Sequence, residues 1–244
     1  CIRDRFRATI LFILALIGTV GMWSVVVFIP DIEKEFGLDR GTSSLLYAFT
    51  MIGFGFGTVI IGKFYDKFGI KKPILLATFV LITAYYFYSI FPFYWQFLIL
   101  QFFMGFAASA FFGPAMADIS NFFNKQRGFA LSIVASANYV AGATWPLLIG
   151  YFLTFIDWRA AHFWISICLF IMIPLILLLK NASVDESKSH DMKQRYKDIR
   201  LDLSNNQIQV LLMLAGICCC VAMAMPQVHM VALCVDNGFG LQVG

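Results

Sequence analysis

The stretch that decides the fold is Gly62-Lys63-Phe64-Tyr65-Asp66-Lys67-Phe68-Gly69-Ile70-Lys71-Lys72. It lies between two long apolar runs, Ser43 to Ile61 and Pro73 to Phe91. Eleven residues between two such runs leave room only for a tight turn between helices. Gly62 and Gly69 permit positive φ and close backbone approach. Asp66 supplies a carboxylate suited to a helix amino terminus, where the dipole favours negative charge. Lys63, Lys67, Lys71 and Lys72 hold the turn at an anionic membrane surface.

The rest of the chain repeats this alternation. Of 244 residues, 60% are hydrophobic and 13% charged, with a mean hydropathy of +0.80. An average soluble domain is about 45–50% apolar and about 25% charged. A water-soluble globule is therefore excluded, as are disorder and nucleic-acid binding, which need a charge-rich chain. A helix crosses the hydrocarbon core with roughly 20 apolar residues. Seven runs qualify: Ala8 to Ile29, Ser43 to Ile61, Pro73 to Phe91, Trp95 to Ala117, Gly128 to Phe155, Ala161 to Leu179 and Gln207 to Leu233. The first lacks a signal-type cleavage site and reads as a span. The fold expected is an all-α membrane protein. The chain starts at Cys1 and stops at Gly244 as a new segment begins, so it reads as a fragment of a longer protein.

Lys180 to Asn206 is the longest polar stretch, and it holds eleven charged residues. It divides six spans from the seventh, which is the layout of a two-half architecture. The expected organisation is a six-span bundle at 1–179, a charged cytoplasmic connection at 180–206, and at 207–244 the seventh span with the start of a second bundle. With the amino terminus inside, fifteen of the 18 Lys and Arg residues fall on the cytoplasmic side, leaving only Lys34, Arg40 and Arg159 outside. Such an excess in loops beside span ends sets orientation. The six cysteines have neither disulfide nor metal spacing and behave as small hydrophobes. The absence of disulfides and signals suits a bacterial inner membrane.

Formal charges fall in loops or at span ends, with Asp118 and Asp236 nearest a span. The interior offers only His229. A membrane-embedded enzyme would want clustered His, Asp or Glu at depth, or a nucleophile with its base. No enzyme, cofactor or metal site is expected.

The pattern G-x-x-x-D-K-x-G-x-K-K between a second and third span resembles the signature loop of the major facilitator superfamily. The six-plus-six break resembles that family's layout too. The resemblance implies twelve spans in two six-helix halves. It also implies that Asp66, with Gly62, Lys67, Gly69, Lys71 and Lys72, forms a conformational loop whose carboxylate engages a helix end in the second half. Ile70 stands where the family often has a basic residue. Phe122-Phe123-Asn124-Lys125-Gln126-Arg127-Gly128-Phe129-Ala130 opens a fifth span rich in small residues. This stretch resembles the monocarboxylate-porter and oxalate/formate-antiporter branch, with Ser132 and Ala137 in place of family glycines. Asp157-Trp158-Arg159 also recurs in the superfamily, and His229 with Asp236-Asn237-Gly238 is similar to the branch's seventh span and following loop.

What the resemblance implies is a secondary active transporter working by alternating access. Its solute would be a monocarboxylate or other small organic anion, moved with a proton or in exchange for a counter-anion. A drug, sugar or other metabolite is the alternative solute, and a seven-helix receptor the rival suggested by span count. Partners would be the solute, the bilayer and the second half of the same protein. Spans one, two, four and five would line the path. That places Trp23 and Ser24, Tyr47 and Thr50, Gln101 and Ser109, and Asn138, Tyr139 and Trp145 along it. His229, three residues beyond Pro226, joins them as a group able to titrate near neutral pH. Asn138 leads, because a mid-membrane amide is costly without a partner. Gly53 and Gly57 form a G-x-x-x-G face for close packing. Tyr85, Tyr86 and Tyr88 read as interfacial anchors, and Pro114, Pro146 and Pro226 as kinks. His162 and His190 receive no role.

Overall fold

The computed structural model describes residues 2–123, 126–179 and 204–239. Lys125 and residues 180–203 of the expected connection lie outside the described residues. Helices α1 (Ile2–Gly18) and α2 (Val20–Phe36) form the first span, α3 (Arg40–Phe68) the second and α4 (Lys71–Ile90) the third. The fourth is α5 (Tyr94–Ala108), a 3₁₀ turn (Ser109–Phe111) and α6 (Gly113–Phe122), and the fifth is α7 (Arg127–Phe152). The sixth is α8 (Trp158–Cys168), a 3₁₀ turn (Leu169–Ile171) and α9 (Met172–Leu178); α10 (Asn205–Asp236) is the seventh. Seven helical segments of the described residues are thus long and apolar enough to cross a membrane.

Most spans outrun the apolar runs that announce them, because helical hydrogen bonding continues into the polar interface. The second is the clearest case: α3 extends through Tyr65 and Asp66 to Phe68. Gly62 therefore sits inside a helix with open space where a Cβ would be, not at a turn of its own. The turn contracts to Gly69 and Ile70, and Gly69 alone of the two glycines adopts positive φ, 71°. Its N–H closes the helix on the Tyr65 carbonyl at 2.8 Å. At the other end of α3, the Asp39 side chain accepts from the N–H groups of Gly41 and Thr42, so Asp39 caps the helix.

Two compact units partition the chain: Cys1–Ala182 with Val231–Gly244, and Ser183–Met230. Described residues of the second are the greater part of α10, with Val210 to Leu214 exposed along it. In the first unit, the first span packs on the fifth, the second on the fourth and the third on the sixth. Exchanging spans one to three with spans four to six swaps the first two pairings and maps the third onto itself. An odd number of crossings per repeat inverts the second copy, which is the inverted-repeat construction of many transporter folds.

Lipid tails are as apolar as leucine, so contact between spans has to come from close packing and hydrogen bonds. The second and fourth spans supply both. A Cβ on Gly53 would overlap the Phe102 carbonyl, one on Gly57 would lie 2.6 Å from the Phe106 carbonyl oxygen, and one on Gly105 would overlap the Thr50 carbonyl. The small face expected at Gly53 and Gly57 is therefore a backbone-to-backbone contact, completed by Gly105 from the other side.

Spans one and four are both broken near their middles, and the breaks meet. In the first, the Thr19 hydroxyl bonds back to the Ala15 carbonyl at 2.8 Å, a local bond that competes with the helical ladder. In the fourth, Pro114 has no N–H for a continuing helix and restarts it near the first position of α6. The Phe111 ring from this break lies where a Gly18 side chain would be. Pro146 and Pro226, by contrast, lie inside α7 and α10, which run on past them.

Candidate functional site

Trp23 on α2 and Asn138 on α7 come together, the indole N–H donating to the Asn138 side-chain oxygen at 3.2 Å. One turn further along α7, Gly142 seats the indole. A Cβ there would be 2.9 Å from Trp23 Cζ2. Trp145, on the same side of α7, donates its indole N–H to the Leu16 carbonyl at 2.8 Å, beside the break at Thr19. Trp23, Asn138 and Trp145 thus share one region, where α7 meets the first span, whereas Tyr139 is 59% exposed on α7.

The remaining candidates lie elsewhere. Gln101 is 1% exposed, and both ends of its amide are engaged: the oxygen accepts from Thr50 at 2.9 Å and the nitrogen donates to the Tyr88 hydroxyl at 3.3 Å. Tyr47 is buried on α3. Ser24, adjacent to Trp23, turns the opposite way and bonds the Tyr85 hydroxyl at 2.6 Å. His229 is exposed on α10.

Tyr85 and Tyr88 are not interfacial anchors. Both are fully buried, and only Tyr86 is exposed. Successive helical positions differ by about 100°, so three tyrosines within four residues could not share one surface. Tyr88 stacks on His162 at 4.4 Å with 4° between the ring planes, and on Phe97 at 4.4 Å. Phe28 packs 4.0 Å from the His162 ring, and His162 Nδ1 bonds the Trp158 carbonyl at 2.8 Å. This aromatic block joins spans one, three, four and six. A belt of ion pairs lies at the same end: Glu35 takes Arg159 at 2.6 Å and the Trp158 indole at 2.8 Å. Arg40 bridges Glu33 and Asp236, each at 3.1 Å.

At the opposite end, two of the charges expected at span ends are buried against each other. Arg7 Nε and Nη2 grip the two oxygens of Asp118, each at 2.7 Å, with the residues 7% and 1% exposed. The signal was present in outline, an Arg immediately before the first apolar run and an Asp immediately after the fourth. Only the fold shows that they meet. In the signature loop, Lys67 and Lys72 lie over the Phe68 ring at 5.3 and 4.6 Å. Lys71 donates to the Leu177 carbonyl at 3.2 Å, capping the carboxyl end of α9, and Asp66 is exposed in the last turn of α3. Ile70, where a basic residue was the family expectation, is buried at the start of α4. Among the described residues, no three His, Cys, Asp or Glu side chains converge to hold a metal ion.

Residues 11–244 match the family model of the Major Facilitator Superfamily. The chain belongs to that superfamily. It is therefore an integral, multi-pass helical membrane protein. Among curated relatives, it is 28% identical over 151 residues to the MFS-type transporter pynF of Aspergillus niger, covering 60% of this chain and 34% of the relative. It is 28% identical over 156 residues to the agnestins efflux protein AgnL12 of Paecilomyces divaricatus, covering 62% of this chain and 35% of that protein. The chain spans about a third of the length of these relatives. The inward-open xylose transporter XylE of E. coli has the same fold, with a TM-score of 0.61 at 12% identity over 94% of this chain and 58% of that one.

Proposed function

We propose that the parent of this chain is a secondary active transporter that moves a small solute by alternating access, with the first-span and α7 region as part of the path. The observation that carries the reading is the Trp23–Asn138 contact: two polar side chains near the middle of their spans, half-buried, in a family whose sites lie near the midplane. Residues 1–179 form the first bundle, 180–206 the cytoplasmic connection and 207–244 the entry to the second bundle, with the amino terminus inside. Lys63, Lys67, Lys71, Lys72 and Arg127 support that orientation. The two curated relatives named above are fungal and lend no support to a bacterial inner membrane.

For the solute, the branch resemblance favours a monocarboxylate or other small organic anion. Export of a larger organic solute is a second reading, favoured by AgnL12 being named an efflux protein. The test is transport of radiolabelled small carboxylates by vesicles holding the full-length parent, with and without a pH gradient. Accumulation that follows an inward proton gradient supports proton coupling and makes His229 the first residue to mutate. Uptake driven only by a preloaded carboxylate makes the protein an exchanger. No carboxylate movement by folded protein in either direction removes the anion reading and leaves the export of other solutes.

A further inference from the structure

The contact between Trp23 and Asn138 has a direction. An indole N–H can only donate, whereas a carboxamide donates from one end and accepts at the other. With Trp23 Nε1 3.2 Å away, the Asn138 oxygen has to be the end that faces the indole. A flipped amide would set two donors against each other. The indole is held close to Asn138 by lying directly over Gly142, where even a methyl group would come within 2.9 Å of the ring. The Asn138 nitrogen, with its two N–H groups, is thereby turned away from Trp23. Among the described residues it meets no acceptor.

We infer that Trp23, seated by Gly142, sets Asn138 as a hydrogen-bond donor to the transported solute and so selects solutes carrying a carboxylate or carbonyl oxygen. The inference rests on the reading of this region as part of the transport path. A solute that displaces water from this half-buried donor pair without offering an acceptor leaves it unpaired, which is unfavourable. A solute oxygen relieves that cost, and a solute of the same shape without one leaves it standing. Such sites discriminate by what they leave unpaired rather than by size. The fold thus supplies a donor for an anionic or carbonyl-bearing solute with no Lys or Arg at that depth.

The experiment uses the full-length parent and a matched set of probes: lactate with its carboxylate, lactamide with a neutral carbonyl, and 3-methylbutan-2-ol, in which two methyl groups replace the carboxylate oxygens. Ligand-dependent thermal shift in detergent ranks their binding. The expected order is lactate and lactamide above the alcohol by about tenfold or more. Trp23→Phe keeps the packing and removes the donor that orients the amide. It should shrink the gap to within about threefold while the protein elutes as folded. Gly142→Ala, which unseats the indole, should do the same, and Asn138→Asp should reverse the order between lactate and the alcohol. A parent indifferent to the three probes overturns the inference, as does a Trp23→Phe variant that keeps the full gap. The path reading is checked separately. In a background lacking the native cysteines, Asn138→Cys should react with a membrane-impermeant thiol reagent. A residue 138 sealed from water overturns the path and the donor with it, whereas labelling with no probe order overturns the donor but not the path.

Discussion

Asp39 and Asp66 are both single carboxylates at helix ends, and they sit in opposite fields. Asp39 lies at the amino end of α3, where the Thr42 hydroxyl, then the Thr42 and Gly41 N–H groups, hold its carboxyl below the ordinary value of 3.8. A depressed value in the folded state means that the cap contributes fully above 3.8 and is lost only as the pH falls through the lower, folded value. Hydrogen exchange at Gly41 and Thr42, taken relative to the intrinsic rate at each pH, should therefore be flat from neutral pH down to about 4 and rise below it. In Asp39→Asn this acid-induced rise should vanish. Asp66 lies in the last turn of the same helix, at the negative end of its dipole, where a carboxylate is unfavourable by about 0.3–1 kcal/mol. Asp66→Asn should leave the melting temperature unchanged or slightly raised while slowing transport by the full-length protein. A variant that loses stability instead would show that Asp66 serves this bundle rather than a partner outside it.

Between elements, the glycines of α3 divide by what faces them. Gly53 touches backbone of the fourth span, whereas Gly55 faces open space. Overpacking of a tight contact typically costs about 1–3 kcal/mol, and here the overlapping atom is a carbonyl that cannot rotate away. Gly53→Ala and Gly105→Ala should each lower thermal stability in detergent by an amount in that range or above it. Gly55→Ala should leave stability unchanged, or add up to about 1 kcal/mol from helix propensity. Equal losses at Gly53 and Gly55 would mean that the close contact is not what holds these spans together. The G-x-x-x-G spacing announced this face, but Gly105 carries no such pattern. Its role comes from where the fourth span meets the Thr50 carbonyl of the second.

For the whole bundle, the Arg7–Asp118 pair ties the first span to the fourth at one end, and the Glu35–Arg159 pair ties the first to the sixth at the other. A buried pair contributes little net stability, because desolvation offsets the attraction, yet losing one partner costs about 3–5 kcal/mol. Arg7→Met should destabilise the bundle by that order, and Arg7→Met with Asp118→Leu should recover most of the loss. A double variant as unstable as the single would show that the charges themselves, and not merely their pairing, are needed for folding.

The number of spans, their helical nature, the tight turn at Gly69 and the family were legible in the chain, because they follow from runs of apolar residues and from local chemistry within about ten positions. Asn138 was legible too, as a polar group where lipid tolerates none without a partner. Its partner was not, since Trp23 lies 115 positions away and no periodicity links α2 to α7. For the same reason Tyr85, Tyr88 and Gln101 could be read as anchors or path residues until the packing of spans three, four and six turned them inward. Hydropathy states which residues avoid water. In a chain where lipid, a neighbouring helix and a solute path all satisfy that demand, only the tertiary structure decides which of the three each side chain meets.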